Sequence, residues 1–183
     1  MLIKFEKKYI PNYLTFLRLA FVPVIFILII YEQYLLASIM YVIASFTDVL
    51  DGFIARKYNL ITDLGKLMDP LADKLTQIST ISALIIKKII PFWILAIITI
   101  KELIMIIVAS ILYKRKIVTV HSKWYGKAAT VLLFVAIVLS LLSEYLPILS
   151  VPSLYAYYTA IAVTIFAAIM YAKNIICKDF VDE

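Results

Sequence analysis

Apolar residues in this chain come in runs and do not alternate with polar ones. Six runs stand out, at roughly 14–31, 34–55, 66–86, 90–113, 128–145 and 152–172. Each is near the ~20 residues that a helix needs to cross the hydrocarbon of a bilayer. Stretches such as Val22 to Ile30 lack the period-two alternation that strands of a membrane barrel require. The pattern predicts an all-α fold, a polytopic membrane protein with six transmembrane helices. Residues 1–13 set Phe5, Tyr9 and Ile10 among Lys4, Lys7 and Lys8. That fits either a short N-terminal helix lying in the headgroup plane or a merely basic end. The run after Arg18 has no small-residue cleavage site, so it is expected to stay as a span and not to be a signal peptide.

Composition agrees with this pattern. The chain has 183 residues, 64% hydrophobic and 16% charged, whereas soluble domains run nearer half apolar and a quarter charged. A chain this short and apolar cannot hide its apolar surface in one water-soluble core. One membrane domain over 1–183, without a large soluble appendage, is the expectation. The formal charge of +6 then points to an anionic membrane face or phosphorylated substrates, and not to nucleic acid. The lone cysteine, Cys177, excludes an intrachain disulfide and a cysteine-based zinc site.

The basic residues also set a direction. Lys4, Lys7 and Lys8, then Arg56, Lys57 and Lys66, then Lys114, Arg115, Lys116, Lys123 and Lys127, then Lys173 and Lys178 all fall on one side of a six-span layout. The other side has Lys87 and Lys88 with Glu32 and Glu144. The positive-inside bias places both termini on the cytoplasmic side of the cell membrane.

Against this apolar background the acids stand out. Asp48, Asp51, Asp69, Asp73 and Glu102 sit inside or at the edge of spans. A carboxylate at a helix centre in hydrocarbon costs about 2.5–3.5 kcal/mol even on a mild scale. Asp48 and Asp51 are spaced i, i+3 and Asp69 and Asp73 i, i+4, so each pair shares a helix face. Folding the second and third spans back against one another would bring both pairs together near the cytoplasmic end. Convergent oxygen donors suit Mg²⁺ or Mn²⁺ rather than zinc, and two such ions can clamp a diphosphate. The alternative is a set of ion pairs with Arg56, Lys66 and Lys74. Against it, Asp48 and Asp51 have no basic residue between them. Gly52 and Gly65 flank the acids, either leaving room for a nucleotide or serving tight helix packing.

Read as one string, Asp48-x-x-Asp51-Gly52-x-x-Ala55-Arg56, eight residues, Gly65-x-x-x-Asp69-x-x-x-Asp73 resembles the signature of the CDP-alcohol phosphotransferase family. The resemblance covers essentially the whole chain, since the six-span layout is similar too. It implies that Asp48, Asp51, Asp69 and Asp73 hold two divalent metals, with Asp73 also the general base. It places Asp48, Gly52, Ala55 and Arg56 at the CDP-lipid. A guanidinium such as that of Arg56 at a helix end also suits phosphate on physical grounds.

Within the family the chain is most similar to bacterial phosphatidylglycerophosphate synthases. The strings Pro11-Asn12-Tyr13-Leu14-Thr15-Phe16-Leu17-Arg18, Asp69-Pro70-Leu71-Ala72-Asp73-Lys74, Lys101-Glu102-Leu103 and Gly126-Lys127-Ala128-Ala129-Thr130 carry that similarity. Two departures are Lys101 where an Arg is usual and Ala129 where a second Lys is usual. The resemblance implies transfer of a phosphatidyl group from CDP-diacylglycerol to glycerol 3-phosphate, with release of CMP. Arg115 and Lys127 are the expected acceptor-binding residues, in the basic connection on the active side; the same charges also serve topology. Glu102 is expected to buttress Arg18 or Lys127. A cardiolipin synthase of the same family remains the alternative, and a homodimer is the assembly considered. The non-enzyme alternative is a cation transporter, which predicts polar residues through the full thickness of several spans. Here the acids crowd at one end of two.

Overall fold

A computed structural model describes residues 10–57, 63–100 and 124–179. Within these, the side chains of 10–14, 51, 54–56, 63–67, 70, 125 and 171–179 lie outside the description. Every regular element among the described residues is helical. Helix α1 runs over Ile10–Ile30, α2 over Tyr34–Lys57 and α3 over Asp63–Ile86. A helical segment, α4, covers 92–100 and reaches the edge of the described residues. Helix α5 is Trp124–Ser143, a 3-10 turn follows at Pro147–Leu149, and α6 is Ser150–Asp179. The expected spans fall on these helices within a few residues, except that most of 90–113 lies outside the described residues, as do residues 1–9.

The chain forms two compact units, Met1–Ile90 and Pro91–Glu183. In the first, α1 packs against both α2 and α3. Buried in this unit are Ala37, Ser38, Tyr41 and Ala44 on α2 and Ala72, Thr76, Thr80 and Ala83 on α3, together with Ile25 and Ile29 of α1 and Ile81 and Leu84 of α3. Small residues let helix backbones approach closely. Among the described residues the broad interfaces are α1 with α2 and α1 with α3.

In the second unit α5 packs along α6. Ala129, Ala136, Ile137, Ser140 and Leu141 meet Ser153, Tyr157 and Ala160 in its interior. Tyr157 and Ser140 are both fully buried there. Trp93 stacks on Tyr158 with ring centroids 5.5 Å apart, so α4 is tied to α6 by an aromatic contact.

Large apolar side chains line the outside of every helix, among them Phe46 and Val49 on α2, Val131 on α5, and Ile165 and Ile169 on α6. Water-soluble monomers rarely expose continuous apolar surface of this kind. Gly126–Ser143 and Pro147–Met170 are long and apolar enough to cross a membrane. The apolar stretches Thr15–Ile30 and Tyr34–Leu50 are shorter. The second is cut short because its helix ends in Asp51, Arg56 and Lys57.

Two prolines behave differently from their sequence context. Helix α3 starts at Asp63, so Pro70 sits well inside it. The carbonyl four residues earlier, on Lys66, therefore gets no N–H from Pro70. Pro23 lies inside α1. Both are compatible with helices whose neighbours support the backbone.

The first unit closes its outer end with two matching turns. Gln33 N–H bonds to Leu28 O and Glu32 N–H to Ile29 O; Ile89 N–H bonds to Leu84 O and Lys88 N–H to Ile85 O. Each is the paired hydrogen-bond pattern of a Schellman stop. The left-handed position is held by Glu32 (φ 64°) and Lys88 (φ 59°), where glycine is usual. Lys87 forms an ion pair with Glu32, joining the two turns. A left-handed residue with a Cβ costs about 1 kcal/mol or more. Lys88→Gly is therefore expected to raise the thermal midpoint in detergent micelles by about 2–4 °C, and Lys88→Val to lower it; a thermal melt followed by circular dichroism checks both.

Candidate active site

The first unit brings the signature acids to α1. Thr15 and Arg18 are three residues apart, so they share a face of that helix. Each is only 2% exposed. Arg18 Nη1 lies 2.6 Å from Asp48 Oδ1 on α2. The Thr15 hydroxyl donates a 2.6 Å hydrogen bond to Asp69 Oδ1 on α3. One turn beyond Asp69, Asp73 faces partly outward, its side chain 36% exposed, with Lys74 Nζ 3.9 Å from its Oδ2. Asp69 and Asp73 are both close enough to Asp48 for their charges to act on it.

Three of the four expected acids therefore converge from two helices. The side chain of Asp51 lies outside the described residues. So do those of Ala55 and Arg56, although α2 stays helical through Lys57. Gly52 is half-buried and helical, one turn after Asp48, so its use is close approach and not a special φ. Lys127 is exposed in the first turn of α5. Arg115, Lys101, Glu102 and His121 lie outside the described residues, so the expected contact of Glu102 with Arg18 is not among those described.

Asp48 departs from the expectation in one respect. Ion pairing had been considered only with Arg56, Lys66 and Lys74, which are near in sequence. Among the described residues, a cation beside Asp48 is Arg18, from α1; the side chains of Arg56 and Lys66 lie outside the description. Sequence reasoning quoted Thr15 and Arg18 within a longer string and gave neither a role at the acids. The available signal was their spacing: a hydroxyl and a guanidinium on one face, in an otherwise apolar helix start.

The donor chemistry fits a divalent ion such as Mg²⁺. The side chains are all carboxylates, hard oxygen donors, and Asp48 and Asp73 are open to solvent at 43% and 36% exposure. No three acidic, histidine or cysteine side chains among the described residues stand at ligating distance of one another. In this arrangement Asp48 is turned to Arg18 and Asp69 to Thr15. Aspartates arranged like this can bind cations, accept protons and orient a phosphorylated ligand.

Comparison with known proteins bears directly on this site. The family model described as CDP-alcohol phosphatidyltransferase matches residues 8–174, a stretch that crosses both units. A Rickettsia typhi protein named CDP-diacylglycerol–glycerol-3-phosphate 3-phosphatidyltransferase is 45% identical over 84 residues, 44% of this chain and 47% of its own length. This chain thus spans about half the length of that relative. An Aquifex aeolicus protein of the same name is 39% identical over 140 residues, 73% of this chain and 74% of the relative. A Streptomyces coelicolor protein named cardiolipin synthase (CMP-forming) is 34% identical over 141 residues, 74% of this chain and 66% of the relative. The signature acids gathered around α1 thus sit in a chain that belongs to the CDP-alcohol phosphatidyltransferase family.

Proposed function

We propose that this chain transfers the phosphatidyl group of CDP-diacylglycerol to glycerol 3-phosphate, as a six-span enzyme of the cell membrane with both termini and the acids on the cytoplasmic side. The observation that carries the reading is the convergence of Asp48, Asp69 and Asp73 from α2 and α3, within reach of one another's charge. Relatives named for this reaction support the choice of substrates. The exposed apolar belts and the two helices long enough to cross support the membrane setting.

In this reading Asp48, Asp51, Asp69 and Asp73 hold two divalent ions, Mg²⁺ or Mn²⁺. Bound there, such ions neutralise the diphosphate and stabilise the departing phosphate. The chain's own residues do the rest. Gly52 and Ala55 leave space along α2 for the cytidine nucleotide, and Arg56 answers its phosphate charge. Asp73, the outermost acid on α3, takes the proton of the acceptor hydroxyl. That oxygen forms a bond to the β-phosphorus as the bond from phosphorus to CMP breaks, and CMP leaves.

Arg115 and Lys127 hold the phosphate of the acceptor. Lys127 supports this role by its position: a cation in the first turn of a helix opposes the helix dipole, so a bound anion there would be favoured by both the charge and the free N–H groups. A second reading has a specific observation behind it. The Streptomyces coelicolor relative matches 74% of this chain, and Ala129 removes a lysine from the acceptor string. On that reading the acceptor is phosphatidylglycerol and the product cardiolipin.

Three measurements test the proposal. Purified protein given CDP-diacylglycerol and a panel of alcohols should release CMP with glycerol 3-phosphate and fall silent in excess chelator. Release with phosphatidylglycerol alone would select the second reading, and full turnover in chelator would remove the metal. Asp73→Asn should bind CDP-lipid nearly normally and lose about 10²–10⁴-fold in single-turnover CMP formation; equal loss of binding and turnover would make Asp73 chiefly a metal ligand. Arg115→Ala and Lys127→Ala should each raise KM for glycerol 3-phosphate by about tenfold, from the loss of one charge-assisted contact. The KM for CDP-lipid should move much less, which steady-state kinetics with each substrate varied will show.

A further inference from the structure

The chemistry proposed above leaves Thr15 and Arg18 without a part, yet both are buried and both reach the acids. Packing alone does not call for a charge at position 18. A buried guanidinium is expensive to desolvate, and an apolar side chain of similar length fills the same space without that cost. The charge is answered by Asp48 at 2.6 Å, and Asp48 in turn feels Asp69 and Asp73. Thr15, on the same face, holds Asp69. A single face of α1 thus grips one acid on each neighbouring helix.

We propose that Arg18 is a positioning residue that serves as the resident counter-cation of the acid cluster. It holds Asp48 in place against Asp69 and Asp73 when no divalent ion is bound, while Thr15 holds Asp69. This rests on the reading that the acids take a divalent ion. Because the guanidinium and the ion draw on the same carboxylate, Arg18 also lowers the affinity of the cluster for that ion. Removing the guanidinium destabilises the metal-free protein and tightens metal binding together.

The test is thermal unfolding of the full chain in detergent micelles, first in excess chelator and then with Mg²⁺ titrated alone. Wild type is compared with Arg18→Met, which keeps the length and removes the charge, and with Arg18→Lys, which keeps the charge. In chelator Arg18→Met should melt about 5–10 °C below wild type. Saturating Mg²⁺ should recover most of that loss, and the midpoint of the Mg²⁺ titration should fall at least about threefold. Arg18→Lys should restore much of the chelator stability and move the midpoint back towards wild type.

An equal loss with and without Mg²⁺, at an unchanged midpoint, would make Arg18 a space-filling residue and overturn the proposal. A raised midpoint would overturn it too, since Arg18 would then help to hold the ion. If Arg18→Met does not assemble in either condition, Arg18→Lys decides: assembly with a near-wild-type midpoint supports the charge role, and failure of that variant as well refutes it. A wild-type protein that responds to neither Mg²⁺ nor Mn²⁺ takes away the metal reading and this one together. A responsive wild type with unaltered variants takes away this one alone.

Discussion

Carboxylates gathered at one point repel, and a bundle that brings Asp48, Asp69 and Asp73 together must answer that charge. Arg18 meets this problem in the first unit. Its side chain is only 2% exposed and ends 2.6 Å from Asp48. Removing one partner of such a pair leaves an uncompensated charge, which is far costlier than never having the pair. The position of α1 follows from this contact. The helix must lie where its inner face can reach both acid-bearing neighbours, and it packs on both. The small residues of α2 and α3 then become necessary, because only short side chains let α1 come close enough for Thr15 and Arg18 to reach.

Placement of the acids therefore owes more to α1 than to the α2–α3 connection. Two helices joined in sequence can slide or rotate relative to each other. A third helix that grips an acid on each fixes their mutual register. At the far end of the same unit, the Schellman turns and the Glu32–Lys87 pair tie the end of α1 to the end of α3. The unit is thus held at both ends, which suits a site whose proposed chemistry depends on position.

What was legible in the sequence follows from helix periodicity. Asp48 and Asp51, or Asp69 and Asp73, could be placed on common faces because spacing within one helix fixes direction. The helices themselves were legible because apolar runs of span length have few alternatives. The Arg18–Asp48 pair was not, since the residues are far apart in sequence and no spacing rule connects one helix to another. The ends of α1 and α3 were legible too, since the apolar runs stop at 31 and 86 and the helices at Ile30 and Ile86, although the stops use residues with a Cβ where glycine is usual. The start of α3 lies three residues before the apolar run that marks it, because Asp63, Leu64 and Gly65 extend the helix beyond its apolar part.

The second unit poses a narrower question about charge. Among the described residues its interior is an α5–α6 contact of small and apolar residues that also buries Ser140, Ser153 and Tyr157. Lys127 differs. A lysine in the first turn of α5 adds positive charge to the positive end of a helix dipole, which is unfavourable by a few tenths of a kcal/mol with nothing bound. Topology could be served as well by a lysine a few residues earlier, outside the helix. A cation that tolerates this position is most easily understood as one that meets an anion there, and the acceptor in the proposed reaction carries a phosphate. Ala129 sharpens the point: it is buried in the α5 interior, so this chain's substitution at that place removes a charge from the packed face of the helix and leaves Lys127, on the exposed face, as the cation of that string.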